Sequence, residues 1–372
     1  MSSHKALREL PRAIHSSASI LRAPSIPMAA PCTQRNLSSS STSRSHENPL
    51  GLPRNNQRIP PTMPRRGTGG PPQPRRIPHV KHVVCVSSGK GGVGKSTISA
   101  NLAVALSLTH AKPRVGLLDL DIFGPSVPKL MGLEGMGEPE LTSNGALIPM
   151  KNHGVSCMSM GFLLGNDSEE AEERVVAWRG MMVMKATQQL LFDVDWRLNP
   201  LAPTPASPDA LDASNTPLDV LVIDMPPGTG DVALSLAQLV KVDAALVVTT
   251  PQQVALLDAK KGVSMFRKTN VPVAGLVLNM SHFVSPDTGR VFEMFGTSTA
   301  VERYAQKQGL DVLARVPLQP QLSAGGDEGI PATLRETLPT FESGEQRGQE
   351  QANHIRAAFL DLADKVWARL AK

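Results

Sequence analysis

The stretch 87-SSGKGGVGKST-97 decides how this chain is read. Gly89 to Ser96 fits G-x-x-x-x-G-K-[ST] and sits between an apolar run, 82-HVVCVSS-88, and a helical pattern over 95–109. That strand–loop–helix setting is the one the motif requires. Glycines let backbone N–H groups turn inward around phosphate oxygens, and the helix start adds its positive end. Gly89, Lys90, Gly91, Gly92, Val93, Gly94, Lys95, Ser96 and Thr97 are therefore the candidate nucleotide-binding residues. Lys95 would span the outer phosphates of a bound nucleotide, and the Ser96 hydroxyl is a candidate Mg²⁺ ligand. One lysine suffices for that work, so Lys90 asks for a second role.

Outward from the loop, apolar runs recur at 114-RVGLLDL-120, 218-LDVLVID-224, 243-DAALVVT-249, 273-VAGLVLN-279 and 311-DVLARVP-317. Such continuous runs mark strands buried on both faces. Helical patterns at 231–240, 252–267 and 297–309 alternate with them. The alternation predicts an α/β fold, a doubly wound and mostly parallel sheet covered by helices. The Pro/Ala/Ser-rich segment 197–217 reads as a surface insertion, because lengthening a loop adds little closure cost. Ile355, Phe359, Leu362, Val366 and Leu370 form one apolar stripe over 350–371, which predicts an amphipathic helix. That stripe packs on the body or on a second subunit; its acids disfavour a membrane surface.

Carboxylates close two of the strands. Asp224 ends 220-VLVID-224 and precedes 225-MPPGTGD-231. At the C-terminal end of a core strand it faces the ligand crevice, where it can hold Mg²⁺ while the Pro-Pro-Gly turn senses the γ-phosphate. Asp119 and Asp121 close 117-LLDLD-121, and period-2 alternation points both toward the phosphates. Asp121 is the candidate for positioning or deprotonating the attacking water. Helix capping or turn chemistry is the other reading of the pair.

The formal charge of +5 is unevenly spread. Residues 1–80 hold twelve Lys/Arg and two acids, leaving 26 Lys/Arg against 31 Asp/Glu, a net −5, on the remainder. An acidic body argues against a nucleic-acid partner. The Arg- and Ser-rich start, with Leu7, Leu10 and Ile14 at helical spacing, reads as a mitochondrial transit peptide over 1–40 or as a disordered basic tail. A Pro/Gly/Arg-rich linker follows over 41–78, and the ATPase domain is expected over 79–372. No apolar run reaches the ~18 residues of a membrane span. The three cysteines, Cys32, Cys85 and Cys157, contain no Cys-x-x-Cys pair, so neither a disulfide scaffold nor a self-contained zinc site is expected.

Lys90 within a P-loop resembles the deviant Walker A class of ATPases. Longer stretches narrow the likeness: 157-CMSMGFLL-164, 176-VAWRGMMVMKATQQLLFDVDW-196, 219-DVLVIDMPPGTGDVALSLAQ-238, 279-NMSHF-283 and Phe295-Gly296 resemble the Mrp/NUBPL iron–sulfur carrier family. The resemblance spans about 80 to 340. It implies a SIMIBI/MinD-like P-loop fold and slow Mg²⁺-dependent ATP hydrolysis in a face-to-face dimer, with Lys90 reaching the partner's nucleotide. Catalytic residues would be Lys90, Asp121 and Asp224, with Ser96 and Asp224 on Mg²⁺ and Asn279 at the adenine. Delivery of [4Fe–4S] clusters to apoprotein clients in the mitochondrial matrix, complex I above all, is implied as well.

One departure cuts across this. Where the family has its Cys-x-x-Cys, this chain has Ser285 and Thr288. Hydroxyls are poor soft-metal ligands, so the cluster ligands do not carry over. Cys157, with His282 as an imidazole alternative, is the substitute within the chain. A heterodimer with a cysteine-bearing relative, or a metal-free nucleotide-gated adaptor, are the other readings.

Overall fold

Eight strands form one sheet in the order β10 (Val312–Arg315), β7 (Val273–Leu278), β6 (Ala244–Thr249), β1 (Val80–Ser88), β5 (Leu218–Asp224), β2 (Val115–Asp119), β4 (Val155–Ser159) and β3 (Met150–Asn152), parallel throughout except at the β3–β4 pair. The computed structural model describes residues 73–122, 124–163, 180–197, 216–285, 288–335 and 345–371. The expected leader, most of the linker and nearly all of the insertion lie outside the described residues. Residues 68–372 belong to one compact unit.

The six strands expected from the apolar runs are β1 (Val80–Ser88), β2 (Val115–Asp119), β5 (Leu218–Asp224), β6 (Ala244–Thr249), β7 (Val273–Leu278) and β10 (Val312–Arg315). Their continuous hydrophobicity has the anticipated cause: β2 and β6 are buried at every position. A second, smaller β-ribbon pairs β8 (Phe283–Val284) with β9 (Val291–Phe292). Those two strands escaped the sequence reading, as did β3 (Met150–Asn152) and β4 (Val155–Ser159), which extend the main sheet beyond β2.

The helices are α1 (Lys95–Leu108), α2 (Val127–Leu130), α3 (Gly180–Phe192), α4 (Asp231–Leu239), α5 (Gln253–Lys268), α6 (Thr299–Gln308), α7 (Pro320–Asp327) and α8 (Glu345–Leu370). In α8 the stripe Ile355, Phe359, Leu362, Val366 and Leu370 is buried, packing against α1 and β10. Right-handed crossovers put α4 and α5 on the opposite face. Among the described residues no helix is long and apolar enough to cross a membrane.

The linker expected over 41–78 ends earlier than its composition implies. Arg75 donates its N–H to Leu239 O at 2.8 Å and accepts from Lys241 N at 2.8 Å. Its guanidinium lies 4.3 Å from the centre of the Phe192 ring, and Ile77 is buried in the core. Proline and arginine density hid two backbone bonds and a cation–π contact from a reading by composition.

Candidate nucleotide site and the hairpin beside it

β1 and β5 are neighbours, so the loop after β1 and the carboxylate ending β5 meet at the C-terminal edge of the sheet. Lys95 opens α1 and is nearly buried, its Nζ 2.7 Å from Asp224 Oδ2. Ser96 Oγ donates to the same oxygen at 2.6 Å, and Ser99 Oγ donates to Asp224 Oδ1 at 2.6 Å. Asp224 thus has a cation and two hydroxyls around it, as a fully buried carboxylate needs. Ser96 Oγ and Asp224 Oδ2 form a hard-oxygen pair that fits Mg²⁺.

The loop above them is shaped by glycine. Gly92 and Gly94 have φ of 78° and 81°, the left-handed region that disfavours side chains. A Cβ at Gly94 would lie 2.2 Å from Asn279 Nδ2, and one at Gly89 would lie 2.1 Å from the carbonyl carbon of Asp258 in α5. Asn279 Nδ2 donates to Val93 O at 2.8 Å, and Ser88 Oγ donates to Lys90 O at 2.9 Å, so side chains on two strand ends hold the loop. Gly94→Ala is expected to weaken binding of a fluorescent ATP analogue by at least ~10-fold, about 1.4 kcal/mol. The strained φ and the displaced Asn279 amide both act against the loop's shape.

A cavity of about 500 Å³ opens over the loop. Lys90, Lys95, Ser96, Thr97, Asp121 and Pro227 line it from the expected set. Its other wall was not anticipated: Ser126 at the start of α2, Lys129 within it, and Leu322, Ser323, Gly326 and Asp327 of α7. Lys129 and Asp327 meet across it at 3.4 Å, both well exposed. The sequence signal was faint, a proline-led, glycine-rich segment 320-PQLSAGGDEG-329 following the last strand. Asn279 does not line the cavity; it lies behind the loop as a brace.

The expectation that Asp119 and Asp121 both face the phosphates is corrected. The strand ends at Asp119 and the chain turns, so alternation no longer applies. Asp119 is fully buried, accepting from Asp121 N at 2.9 Å, from Ser126 N and Val127 N at 3.1 Å, and from Ser159 Oγ at 3.1 Å. It is a turn-tying residue that holds the start of α2. Burial, with the Asp224 charge adding to it, pushes its carboxyl up to about 7. Asp121 does reach the site, with its carboxylate 3.9 Å from Lys95 Nζ.

The β8–β9 hairpin carries the two hydroxyl residues. Ser285 N donates to Arg290 O at 2.9 Å, Gly289 N donates to Ser285 O at 2.9 Å, and Thr288 N approaches Ser285 Oγ at 3.4 Å. Those bonds close a turn. Val291, Phe292 and Met294 are exposed next to it. Cys157 does not substitute for the missing thiols. It is fully buried in β4, and burial pushes its thiol far above the ordinary range. β4 lies five strand positions from β7, which leads into the hairpin, a separation of roughly 24 Å at the usual strand spacing. His282 Nδ1 is engaged with Ser281 Oγ at 2.9 Å. Among the described residues no cluster of three or more His, Cys, Asp or Glu is arranged to hold a metal. The residues present do not fit a thiolate-held cluster.

Comparison with known proteins agrees with this geometry. A family profile described as "NUBPL iron-transfer P-loop NTPase" matches residues 79–201 and 211–350. A mouse protein named iron-sulfur cluster transfer protein NUBPL is 43% identical over 301 residues, covering 81% of each chain. An Arabidopsis thaliana protein named "Iron-sulfur protein required for NADH dehydrogenase, mitochondrial" is 42% identical over 298 residues, covering 80% of this chain and 82% of that one. Among solved structures, a nucleotide-binding protein from Archaeoglobus fulgidus in complex with ADP superposes with a TM-score of 0.53 at 32% identity, covering 68% of this chain and 88% of that one.

Proposed function

Since the chain belongs to the NUBPL iron-transfer P-loop NTPase family, we propose that it is a mitochondrial ATPase serving iron–sulfur cluster transfer to respiratory complex I, working in the matrix as a nucleotide-sandwich dimer. One observation carries the enzymatic part: Lys95, Ser96 and Asp224 are already joined at 2.6–2.7 Å beneath a glycine loop, with Asp121 at the cavity wall. That arrangement binds a triphosphate and Mg²⁺ and supports slow hydrolysis. Lys95 neutralises phosphate charge, Ser96 and Asp224 hold the metal, and Asp121 orients water. When bound, Mg²⁺ supplies charge neutralisation on the phosphate oxygens.

Apolar side chains support the dimer. Leu234 on α4 and Val254 and Leu257 on α5 are exposed on the first two turns of helices that start at the loop-bearing end of the sheet. Exposed apolar side chains grouped near a site favour a protein partner. A second copy facing this end would bring its own Lys90 toward the cavity. The proposal is tested by removing the chain from its cell. NADH dehydrogenase activity and iron–sulfur content should fall while respiratory enzymes without such clusters keep theirs; unchanged NADH dehydrogenase would sink it.

The hydroxyl-bearing hairpin favours a second reading, a metal-free nucleotide-gated adaptor or a heterodimer in which a cysteine-bearing relative holds the cargo. Anaerobic reconstitution with iron and sulfide separates the two. A stoichiometric brown chromophore on the purified chain supports a carrier that uses ligands other than the family pair. Colourless protein supports the adaptor.

A further inference from the structure

On the far half of α5 a second cavity, of about 300 Å³, opens between α5 and α6. Lys260, Arg267 and Lys268 line it from α5, and Tyr304 and Gln308 from α6. Among the described residues no carboxylate lines it. The nearest acids on these two helices are engaged elsewhere: Asp258 pairs with Lys261 at 2.8 Å, and Glu302 with Arg315 at 2.7 Å. The groove is built, not merely charged. Lys260 Nζ sits 5.2 Å over the Tyr304 ring, and Arg267 donates to the Gln308 side chain and, at 2.8 Å, to its carbonyl. Val263 and the half-buried Tyr304 give it an apolar floor.

We infer that this groove is a docking site for an acidic segment of a partner protein. Lys260 and Arg267 lie seven residues apart on one helix face, an axial separation of about 10 Å. Two carboxylates three residues apart on a polyproline II segment share one face and are separated by roughly 9 Å. Charge complementarity therefore matches spacing as well as sign. An anionic membrane is a poorer fit. Of the exposed apolar side chains of α5, Leu257 lies one turn before Lys260 and Val254 a turn further, so none of them borders Arg267 or Lys268 and the apolar rim is too small for insertion. A duplex nucleic acid would need a broad basic surface, and the body carries a net −5.

The two walls also have meaningful neighbours. The first turns of α5 back directly onto Gly89, beside Lys90, and α6 begins seven residues after the hairpin ends. An occupant lies across both. Identifying it as a client for cluster transfer rests on the proposed function; the acidic chemistry does not.

The test uses the full chain, without nucleotide or metal, and a short fluorescein-labelled peptide carrying aspartates three residues apart. Anisotropy at low salt should show saturable one-to-one binding, weakened at least ~10-fold by Lys260→Gln with Lys268→Gln and retained by Lys260→Arg with Lys268→Arg. Arg267→Gln serves as a second variant that leaves both lysines in place and should also weaken it. The basic N-terminal segment is common to every variant, so the difference between them reads the groove alone. ATP-analogue binding should be unchanged in all, which separates failure here from failure of the nucleotide site. Equal peptide binding by wild type and both glutamine variants overturns the proposal. So does groove-dependent binding of cardiolipin vesicles or a DNA duplex with no such dependence for the peptide.

Discussion

Lys90→Ala should lower ATP turnover by about 10³-fold or more while leaving ATP affinity within about twofold. The two loop lysines occupy different environments. Lys95 is nearly buried and tied to Asp224 at 2.7 Å, so it belongs to its own protomer's phosphate site. Lys90 is half-buried on the outer part of the loop, its carbonyl held by Ser88 and its side chain at the cavity rim. A cation there adds little to ground-state binding in its own pocket. Delivered into a partner's pocket, it neutralises charge that builds only as the phosphoryl group departs, which is where rate is gained. Phosphate release and titration with a fluorescent analogue measure the two quantities separately. Complementation identifies the direction of donation. Mixing inactive Lys90→Ala with inactive Asp121→Ala should restore activity, because one mixed-dimer site has both an intact Asp121 and the partner's Lys90. Wild-type turnover in the single variant, or no recovery on mixing, removes the sandwich.

Ser285→Cys combined with Thr288→Cys should turn a chain with no thiolate at the hairpin into one that, as a dimer, holds a [4Fe–4S] cluster through four. The frame is suited to this: the turn is closed by backbone bonds from Ser285 and Gly289, which the substitution leaves in place. Thiolates are the normal ligands of such clusters, and neutral hydroxyls cannot match them. Iron content and visible absorbance after anaerobic reconstitution should rise from a trace to near one cluster per dimer. Absence of iron in the double variant would show that this hairpin is no longer placed to bridge two protomers.

The extent to which the chain could be read beforehand follows from how its signals arise. Strands such as β2 and β6 were legible because burial on both faces demands unbroken apolar runs. β3 was not, since three half-exposed residues, 150-MKN-152, carry no period. The glycine loop, Lys95 and Ser96 were legible because local sequence alone dictates that turn and its two flanking elements, and Asp224, 129 residues from Lys95, because a carboxylate ending a core parallel strand faces the same crevice. Lys129 and the α7 wall were not, because topology brings them to the cavity from more than 30 and more than 220 residues away. Asp119 was misassigned for a local reason: alternation was extended to Asp121, two residues past the end of a strand. Cys157 was offered as a soft ligand because sequence gives a residue's type and hides its strand's place in the sheet.

The amide of Asn279 has a mechanical implication. It grips Val93 O inside the glycine loop, and the chain then passes through Ser281, whose N–H is anchored on Val316 O at 3.0 Å, into the ribbon that starts at Phe283. Three residues thus separate the clasp from the ribbon. Any tightening of the loop around phosphates pulls on a short, stiff lever whose free arm bears Ser285 and the exposed Phe292. Nucleotide occupancy is then expected to shift the pose of the ribbon, whether that arm carries metal or only a partner.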